Sequence, residues 1–158
     1  MSNTDDVVPL EQQLCFSVYS AAHAFTAAYK PLLEPFGLTY PQYLVLLALW
    51  QKDGVSVKEI GSRLHLDSGT LTPLLKRLQA SGYVRRGRDP ADERQLRVEL
   101  TEEGQQLRWK VVEVRKSLVC SLGTTEAPIQ ALREQVDAMT QALRAMPGKA
   151  QTAEGPGL

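Results

Sequence analysis

Apolar residues recur at spacings of three and four along most of this chain, the period at which one side of an α-helix meets a core. The pattern predicts helices that begin near Leu10, Thr39, Ser56, Asp67, Thr101 and Ile129. The first runs to about Leu33 and ends near Pro31 and Pro35, and the second is too apolar to face water on any side. A mainly helical fold follows.

The last helix carries a narrow, regular apolar stripe. Helices that pair between chains have such a stripe, and packing on the chain's own first helix is the alternative. We favour pairing between two copies. The stripe consists of Ile129, Leu132, Val136, Met139, Leu143 and Met146.

A period of two replaces the helical period after Gly82, a residue suited to the left-handed end of the preceding helix. The positions Val84, Arg86 and Arg88 stand against Leu96, Val98 and Leu100, and a turn at 89–92 separates the two runs. The sequence therefore predicts a β-hairpin with a charged tip.

Capping residues mark the helix starts. Ser56 with Glu59, and Thr39 with Gln42, have the spacing of a capping box. Asp67 or Ser68 is suited to cap the fourth helix, in which Pro73 removes one backbone hydrogen bond. We expect a late start or a slight kink there.

The fourth helix has a polar face with two kinds of chemistry. Hydroxyl groups lie near its start and positive charges follow, which suit base edges and phosphates respectively. A solvated face on an ordinary protein is the alternative. The residues are Ser68, Thr70, Thr72, Lys76 and Arg77.

Charge supports the DNA-reading interpretation. The chain is neutral overall, with 18 basic and 18 acidic residues. The segment 58–97, in contrast, holds nine basic residues, including Arg86 and Arg94, against five acidic ones. Helix, turn, helix and basic hairpin in this order are typical of a DNA-binding module.

Composition limits the other classes of function. A chain of 158 residues buries enough surface to fold without a metal or a disulfide. It has no CxxC motif and no glycine-rich phosphate loop, and its histidines and cysteines are too scattered for a zinc site. We therefore expect no catalytic residues, no metal and no cofactor, which argues against an enzyme such as a thiol peroxidase. No secretory segment or membrane span is evident, so we expect a soluble cytoplasmic protein.

The two cysteines, Cys15 and Cys120, remain ambiguous on the residues alone. Free cysteines are usually small buried hydrophobes, and Cys120 has apolar neighbours. No Lys or Arg lies within a turn of Cys15, and His23 is two turns away, about 12 Å along the axis. In a reducing cytosol a disulfide is more often redox-sensing than structural.

Three segments carry a resemblance that changes this balance: LTYPQYLVLLAL, VSVKEIGSRLHLDSGTLTPLLKRLQASGYVRR and DPADERQLRVELTEEG. They resemble the MarR family of winged-helix repressors, and within it the OhrR branch that senses organic hydroperoxides. The resemblance covers about Leu10 to Met146. It implies a flexible N-terminus at 1–9, dimerisation helices at 10–38 and 101–146, a winged helix-turn-helix module at 39–100 and a disordered tail at 147–158.

For DNA binding, the resemblance implies a homodimer on a pseudo-palindromic operator of double-stranded DNA. The helix from about Ser68 would lie in the major groove, and Asp92 would orient Arg94 so that its guanidinium enters the minor groove. Two such helices stand about one DNA turn apart, roughly 34 to 36 Å.

For sensing, the resemblance makes Cys15 the reactive thiol. It implies that Tyr29 and Tyr40 donate hydrogen bonds to the sulfur from across the dimer, with Tyr19 close to the pocket. Cys120 matches the second cysteine of a two-cysteine subclass, which closes an intersubunit disulfide and releases DNA. The alternative is a repressor released by a small aromatic or phenolic ligand in the cleft between the dimer helices and the winged module.

Overall fold

The computed structural model describes residues 7–147. Its helices and strands confirm a mainly helical fold with a small hairpin wing. The helices are α1 (Leu14–Leu33), α2 (Tyr40–Gln51), α3 (Val57–Leu64), α4 (Ser68–Ala80), α5 (Glu102–Ser121) and α6 (Glu126–Ala145), and the strands are β1 (Val55–Ser56), β2 (Val84–Arg88) and β3 (Leu96–Leu100). Single 3-10 turns at Leu10–Gln12 and Glu34–Phe36 flank α1.

The three strands form an antiparallel sheet in the order β1-β3-β2. Val84 pairs with Leu100, Arg86 with Val98 and Arg88 with Leu96, which is the predicted register. The strand β1, in which Val55 pairs with Val98, was not predicted. Two residues are too short to show a period of two, so only the fold reveals this strand.

The first helix begins later than the pattern predicted. Pro9 and the turn Leu10–Gln12 precede Gln13, which has extended backbone and caps α1. The helix includes Pro31 and ends at the fully buried Leu33, which is the end that the pattern predicted. Packing of Leu33 in the core offsets the backbone hydrogen bond that proline removes in this last turn.

The core is built around α2, as the sequence predicted. This helix contacts α1, α3, α4 and α5, and it is buried on most sides. Its capping box forms in full, because Thr39 accepts from the N3 backbone and Gln42 accepts from the N–H of Thr39 at 2.8 Å. The main cluster also includes Leu33, Ile60, Leu71, Leu75, Leu78, Val98, Leu107 and Val111.

The capping box expected at α3 forms only in part. Ser56 Oγ accepts from the N–H of Glu59 at 3.1 Å, as expected. The Glu59 carboxylate, however, accepts from Lys52 Nζ at 2.8 Å instead of reaching back to the cap. A cation within reach is a stronger partner for the carboxylate than one backbone amide.

The helix α4 begins at Ser68, so the late start expected from Pro73 is wrong. At its other end Gly82 has φ +79, and the N–H groups of Gly82 and Tyr83 donate to the carbonyls of Gln79 and Leu78. These two bonds form the predicted left-handed glycine end.

The terminal helices leave much apolar surface uncovered in the single chain. None of the residues of α6 is buried. In its stripe Leu132, Val136, Leu143 and Met146 are exposed, from 39% to 63%, and Ile129 and Met139 are half-buried. Leu14, Val18 and Phe25 on α1 are exposed as well. An unpartnered stripe of this kind on both terminal helices is what a dimer interface leaves in one protomer.

Most of the predicted N-terminal segment at 1–9 and of the tail at 147–158 lies outside the described residues. Within 7–147, no helix combines the length and the apolar character that crossing a membrane requires.

Candidate functional site

The start of α4 presents a compact polar surface. Asp67 caps the helix and accepts from the N–H of Thr70 at 2.8 Å and from Thr70 Oγ1 at 3.0 Å. These two hydrogen bonds hold the pKa of the Asp67 carboxyl below its usual range. Thr72 Oγ1 donates to the carbonyl of Ser68 at 2.6 Å. Both predicted threonine hydroxyls therefore use their donor inside the helix and offer lone pairs outward.

The remaining positions of α4 are divided between core and solvent. Leu71, Leu75 and Leu78 are buried, which fixes the opposite side of the helix outward. Lys76 and Arg77 are exposed on that side. The pattern that predicted a basic outer face is thus present in the fold.

The wing tip is ordered by its two aspartates. Asp92 Oδ1 accepts from the N–H of Arg94 at 3.1 Å, and Asp92 Oδ2 accepts from Gln95 Nε2 at 3.1 Å. Asp89 Oδ1 accepts from the N–H of Ala91 at 2.8 Å. Asp92 therefore contacts the main chain of Arg94 and shapes the turn that carries this exposed side chain.

Arg86 connects the wing to α4. Its Nε donates to Gln79 Oε1 at 2.6 Å, and the residue is half-buried on the core side of β2. Arg86 was predicted to contact DNA, and one of its N–H donors is therefore already used within the protein. The contact joins two different elements seven residues apart, which sequence periodicity does not reveal.

A cleft of about 1210 Å³ lies between α3, α4 and the wing tip. It brings together Ser68, Thr72 and Arg94 from the predicted set. Four further polar residues that line it were not predicted from the sequence: Lys58, Ser62, Gln95 and Arg144. Lys58 and Ser62 lie one turn apart on α3. The cleft combines hydroxyl groups and cations on one concave surface.

The sulfur of Cys15 lies near the beginning of α1. Cys15 is the second residue of this helix and is exposed. The first N–H groups of a helix have no helical partner and stabilise nearby negative charge. The sequence pattern, which started the helix at Leu10, gave no sign of this placement. One turn further, Tyr19 packs edge-on against His23 with ring centroids 4.4 Å apart.

Three tyrosines cluster where α1 ends and α2 begins. Tyr29 stacks on Tyr40 with centroids 4.7 Å apart, and Tyr43 lies 5.6 Å from Tyr29. Burial raises the pKa of Tyr29 to about 12 and also raises the pKa of Tyr40. Both hydroxyls therefore keep their protons at neutral pH and are able to donate. Tyr43 was not among the predicted residues.

One protomer does not bring the thiol and the tyrosines together. Cys15 and Tyr29 lie on the same helix, 14 positions apart, which corresponds to roughly 21 Å along the axis. Cys120, in the last turn of α5, is exposed and free, and it is not near Cys15. The sequence left open the possibility that each cysteine is a small buried hydrophobe. Both side chains are exposed in the single chain.

A second cleft of about 640 Å³ lies between α1, the start of α2 and α4. Lys30, Arg77 and the carboxylate of Glu34 line this cleft. The rest of its wall is largely apolar and includes His23, Leu38, Tyr40, Pro41 and Leu74. Among residues 7–147, no three His, Cys, Asp or Glu side chains are grouped as metal ligands.

The chain is similar to known regulators in sequence. Residues 27–110 match the family model described as transcriptional regulator SarA/Rot. The chain is 53% identical to the HTH-type transcriptional regulator TtmR of Methylorubrum extorquens over 96% of this chain and 78% of that protein. It is 47% identical to the organic hydroperoxide resistance transcriptional regulator of Bacillus subtilis over 72% of this chain and 78% of that protein.

Solved structures agree with this assignment. The structure of reduced AbfR bound to DNA, a protein of Staphylococcus epidermidis, superposes with a TM-score of 0.75 at 41% identity, covering 85% of this chain and 94% of that one. The relatives are named transcriptional regulators, and none of these names indicates an enzyme. The chain therefore belongs to the SarA/Rot family of MarR-like winged-helix transcriptional regulators.

Proposed function

We propose that this regulator is a homodimeric repressor that binds operator DNA while Cys15 is reduced and releases it when an organic hydroperoxide oxidises Cys15. The observation that carries the proposal is the separation of an exposed Cys15 from the Tyr29 and Tyr40 pair within one protomer. A second copy is needed to bring the two halves together. The name of the Bacillus subtilis relative supports the class of oxidant.

DNA binding is assigned to α4 and the wing. The outer face of α4 would enter the major groove, with Ser68, Thr70 and Thr72 toward base edges and Lys76 and Arg77 toward phosphates. The wing tip, held by Asp92, would present Arg94 to the neighbouring groove, and Arg86 would hold the wing against α4. In a dimer these surfaces would repeat at roughly 34 to 36 Å along a pseudo-palindromic site.

Dimerisation is assigned to the exposed stripes of α1 and α6. Covering them removes a large apolar surface from water, at about 25 cal/mol per Å². In an isologous pair, Cys15 of one protomer would meet Tyr29 and Tyr40 of its partner, with Tyr19 at the edge of the same pocket.

The chemistry at the pocket is a two-electron oxidation. The Cys15 thiolate attacks one peroxide oxygen, the O–O bond breaks, and the products are a sulfenic acid and the alcohol of the hydroperoxide. The protonated hydroxyls of Tyr29 and Tyr40 would stabilise the thiolate. Their rings would provide an apolar wall on which an organic peroxide displaces water.

Cys120 would complete the switch. Its thiolate attacks the sulfenic sulfur of the partner's Cys15, forming an intersubunit disulfide and releasing water. Bridging requires the α-carbons of Cys15 and the partner's Cys120 to come within ~7 Å of each other in the oxidised dimer. Reversing DNA occupancy from 99:1 to 1:99 takes about 5.5 kcal/mol of differential stability, which a covalent link between subunits is able to supply.

The test is a gel shift at fixed salt, with and without cumene hydroperoxide. The parent protein should release DNA on oxidation, and Cys15→Ser should bind DNA and stay bound. A Cys15→Ser protein that still releases DNA would overturn the sensing proposal. If neither protein binds DNA from the promoter region of the regulator's own gene, the assignment of α4 and the wing to DNA binding is wrong, whatever the role of Cys15.

Non-reducing electrophoresis tests the disulfide separately. Peroxide should convert the parent protein to a covalent dimer, and both Cys15→Ser and Cys120→Ser should abolish that band. A cross-link that survives in Cys120→Ser would show that the pairing is wrong.

A repressor released by a phenolic ligand is the second candidate, and the 640 Å³ cleft favours it. The cations of Lys30 and Arg77 would bind a carboxylate or phenolate, and Leu38 and Leu74 would contact the ring. Thermal-shift measurements with phenolic acids on Cys15→Ser separate the candidates. Stabilisation together with DNA release in this thiol variant would support the ligand-gated alternative.

A further inference from the structure

The proposed function leaves one electrostatic question open at Cys15. A thiolate in a pocket needs nearby donors or positive charge. No Lys or Arg lies within a turn of Cys15 in the sequence. A cation from another element is therefore required if the pocket carries a formal positive charge.

The helix α5 brings Arg115 to the tyrosine cluster. Its neighbours Val114 and Leu118 are buried in the core that also contains Tyr29 and Tyr43, so Arg115 stands at the edge of this buried face. Its charge acts on both tyrosines, since it lowers the pKa of Tyr29 and of Tyr43 against the larger effect of burial.

The guanidinium of Arg115 is held in place from α6. Its Nη2 lies 2.6 Å from Glu126 Oε2, and Glu126 is the first residue of that helix. The two side chains remain 59% and 61% exposed in the single chain, which leaves the pair accessible to a second protomer.

We propose that Arg115 supplies the positive charge of the thiol pocket. Its guanidinium is oriented by Glu126 and stabilises the thiolate of the partner's Cys15 beside Tyr29. The inference rests on the proposed function, because it requires the dimer to bring Cys15 to the tyrosines. It assigns the positive charge of the pocket to α5 of the other subunit.

The groups that would face the sulfur come from five helices, one of its own subunit and four of the partner. Tyr19 and His23 lie on its own helix, and the partner contributes tyrosines of α1 and α2 and the Arg115 and Glu126 pair. The positive charge of Arg115 stabilises the thiolate, and the negative charge of Glu126 partly offsets this stabilisation. Glu126→Gln keeps an amide oxygen that is able to accept from Arg115 and removes only the opposing negative charge. Arg115→Gln and Glu126→Gln should therefore shift the reactivity of Cys15 in opposite directions, whereas a merely structural pair would shift it in one.

The experiment uses the full-length Cys120→Ser protein, in which Cys15 is the single thiol. The rate of alkylation by iodoacetamide is measured against pH, together with the rate of reaction with cumene hydroperoxide at pH 7. Arg115→Gln should raise the pH of half-maximal alkylation by about one unit and slow the peroxide reaction at pH 7, by at most about tenfold. Arg115→Lys should restore most of the rate, and Glu126→Gln should lower the pH of half-maximal alkylation.

Lys116→Gln is the matched control, since Lys116 is the next residue and pairs with Glu113 on its own helix at 2.8 Å. It should leave the profile unchanged. An Arg115→Gln profile that matches the parent, or equal shifts in Arg115→Gln and Glu126→Gln, would overturn the inference. If Cys15 still drives DNA release in that case, the proposed function stands without Arg115; if Cys15→Ser releases DNA, both fail.

Discussion

Gly104 is the point at which α5 is fastened to the base of the wing, and its replacement by alanine tests that contact. A Cβ built there would lie 2.0 Å from the carbonyl oxygen of Tyr83 and 3.0 Å from its carbonyl carbon. The Gly104 carbonyl also accepts from Trp50 Nε1 at 2.8 Å, and its N–H donates to Thr101 Oγ1 at 3.0 Å. The clash therefore falls on main-chain atoms that lie between hydrogen-bonded elements.

The expected cost follows from three contributions. Real Cβ atoms essentially never approach closer than 3.0 Å, so α5 and the Tyr83 backbone must separate by about 1 Å. Such overpacking costs about 1–3 kcal/mol, and weakening the Trp50 hydrogen bond adds about 1 kcal/mol. Alanine recovers about 1 kcal/mol of helix propensity. We expect Gly104→Ala to lower the free energy of unfolding by about 2 kcal/mol.

Urea unfolding monitored by circular dichroism, at one fixed protein concentration, measures this difference. Gly87→Ala is the control, because a Cβ at Gly87 meets nothing within 4 Å. The control should be neutral or slightly more stable than the parent. The reasoning is refuted if Gly104→Ala is as stable as Gly87→Ala, since the close approach would then carry no energy.

Three further outcomes are expected. Thr101→Ala should lower the free energy of unfolding by about 1–2 kcal/mol in the same assay, because Thr101 Oγ1 caps α5 and donates to the Gly82 carbonyl, whereas Thr101→Ser should cost much less. Lys76→Ala and Arg77→Ala should each reduce the slope of log affinity against log salt by about 1 in DNA titrations, and Lys116→Ala should not; equal slopes would remove these residues from the phosphate contacts. Tyr29, whose folded pKa of about 12 exceeds its usual 10.0, should contribute stability below pH 10 that is lost as pH rises toward 12. Tyr29→Phe should therefore show a smaller loss of stability over that pH range than the parent.

Local signals predicted much of the fold. The alternation at 84–88 and 96–100 fixed the hairpin register, because one face of the sheet must be buried and a slip of one residue would reverse it. The caps at Thr39 and Thr101 and the glycine end at Gly82 were also predictable, since each depends on residues close in sequence.

Side-chain contacts between different elements account for most of what the sequence did not reveal. The start of α1 at Leu14 was missed because Leu10 fits the apolar period equally well. Arg86 on Gln79, Glu59 on Lys52 and Arg115 on Glu126 are pairs chosen by the fold among several possible partners. For the candidate site, the residue types were predictable and their partners were not.

The 14 positions that separate Cys15 from Tyr29 on one helix also determine how the proposed sensor behaves when two different variant subunits form a heterodimer. Each pocket would take its thiol from one chain and its tyrosines from the other. A Cys15→Ser subunit paired with a Tyr29→Phe subunit would thus hold one intact pocket and one with both defects. Two inactive proteins, mixed in equal amounts and allowed to exchange, should therefore regain one intact pocket in each heterodimer, which is about a quarter of all sites when subunits pair at random.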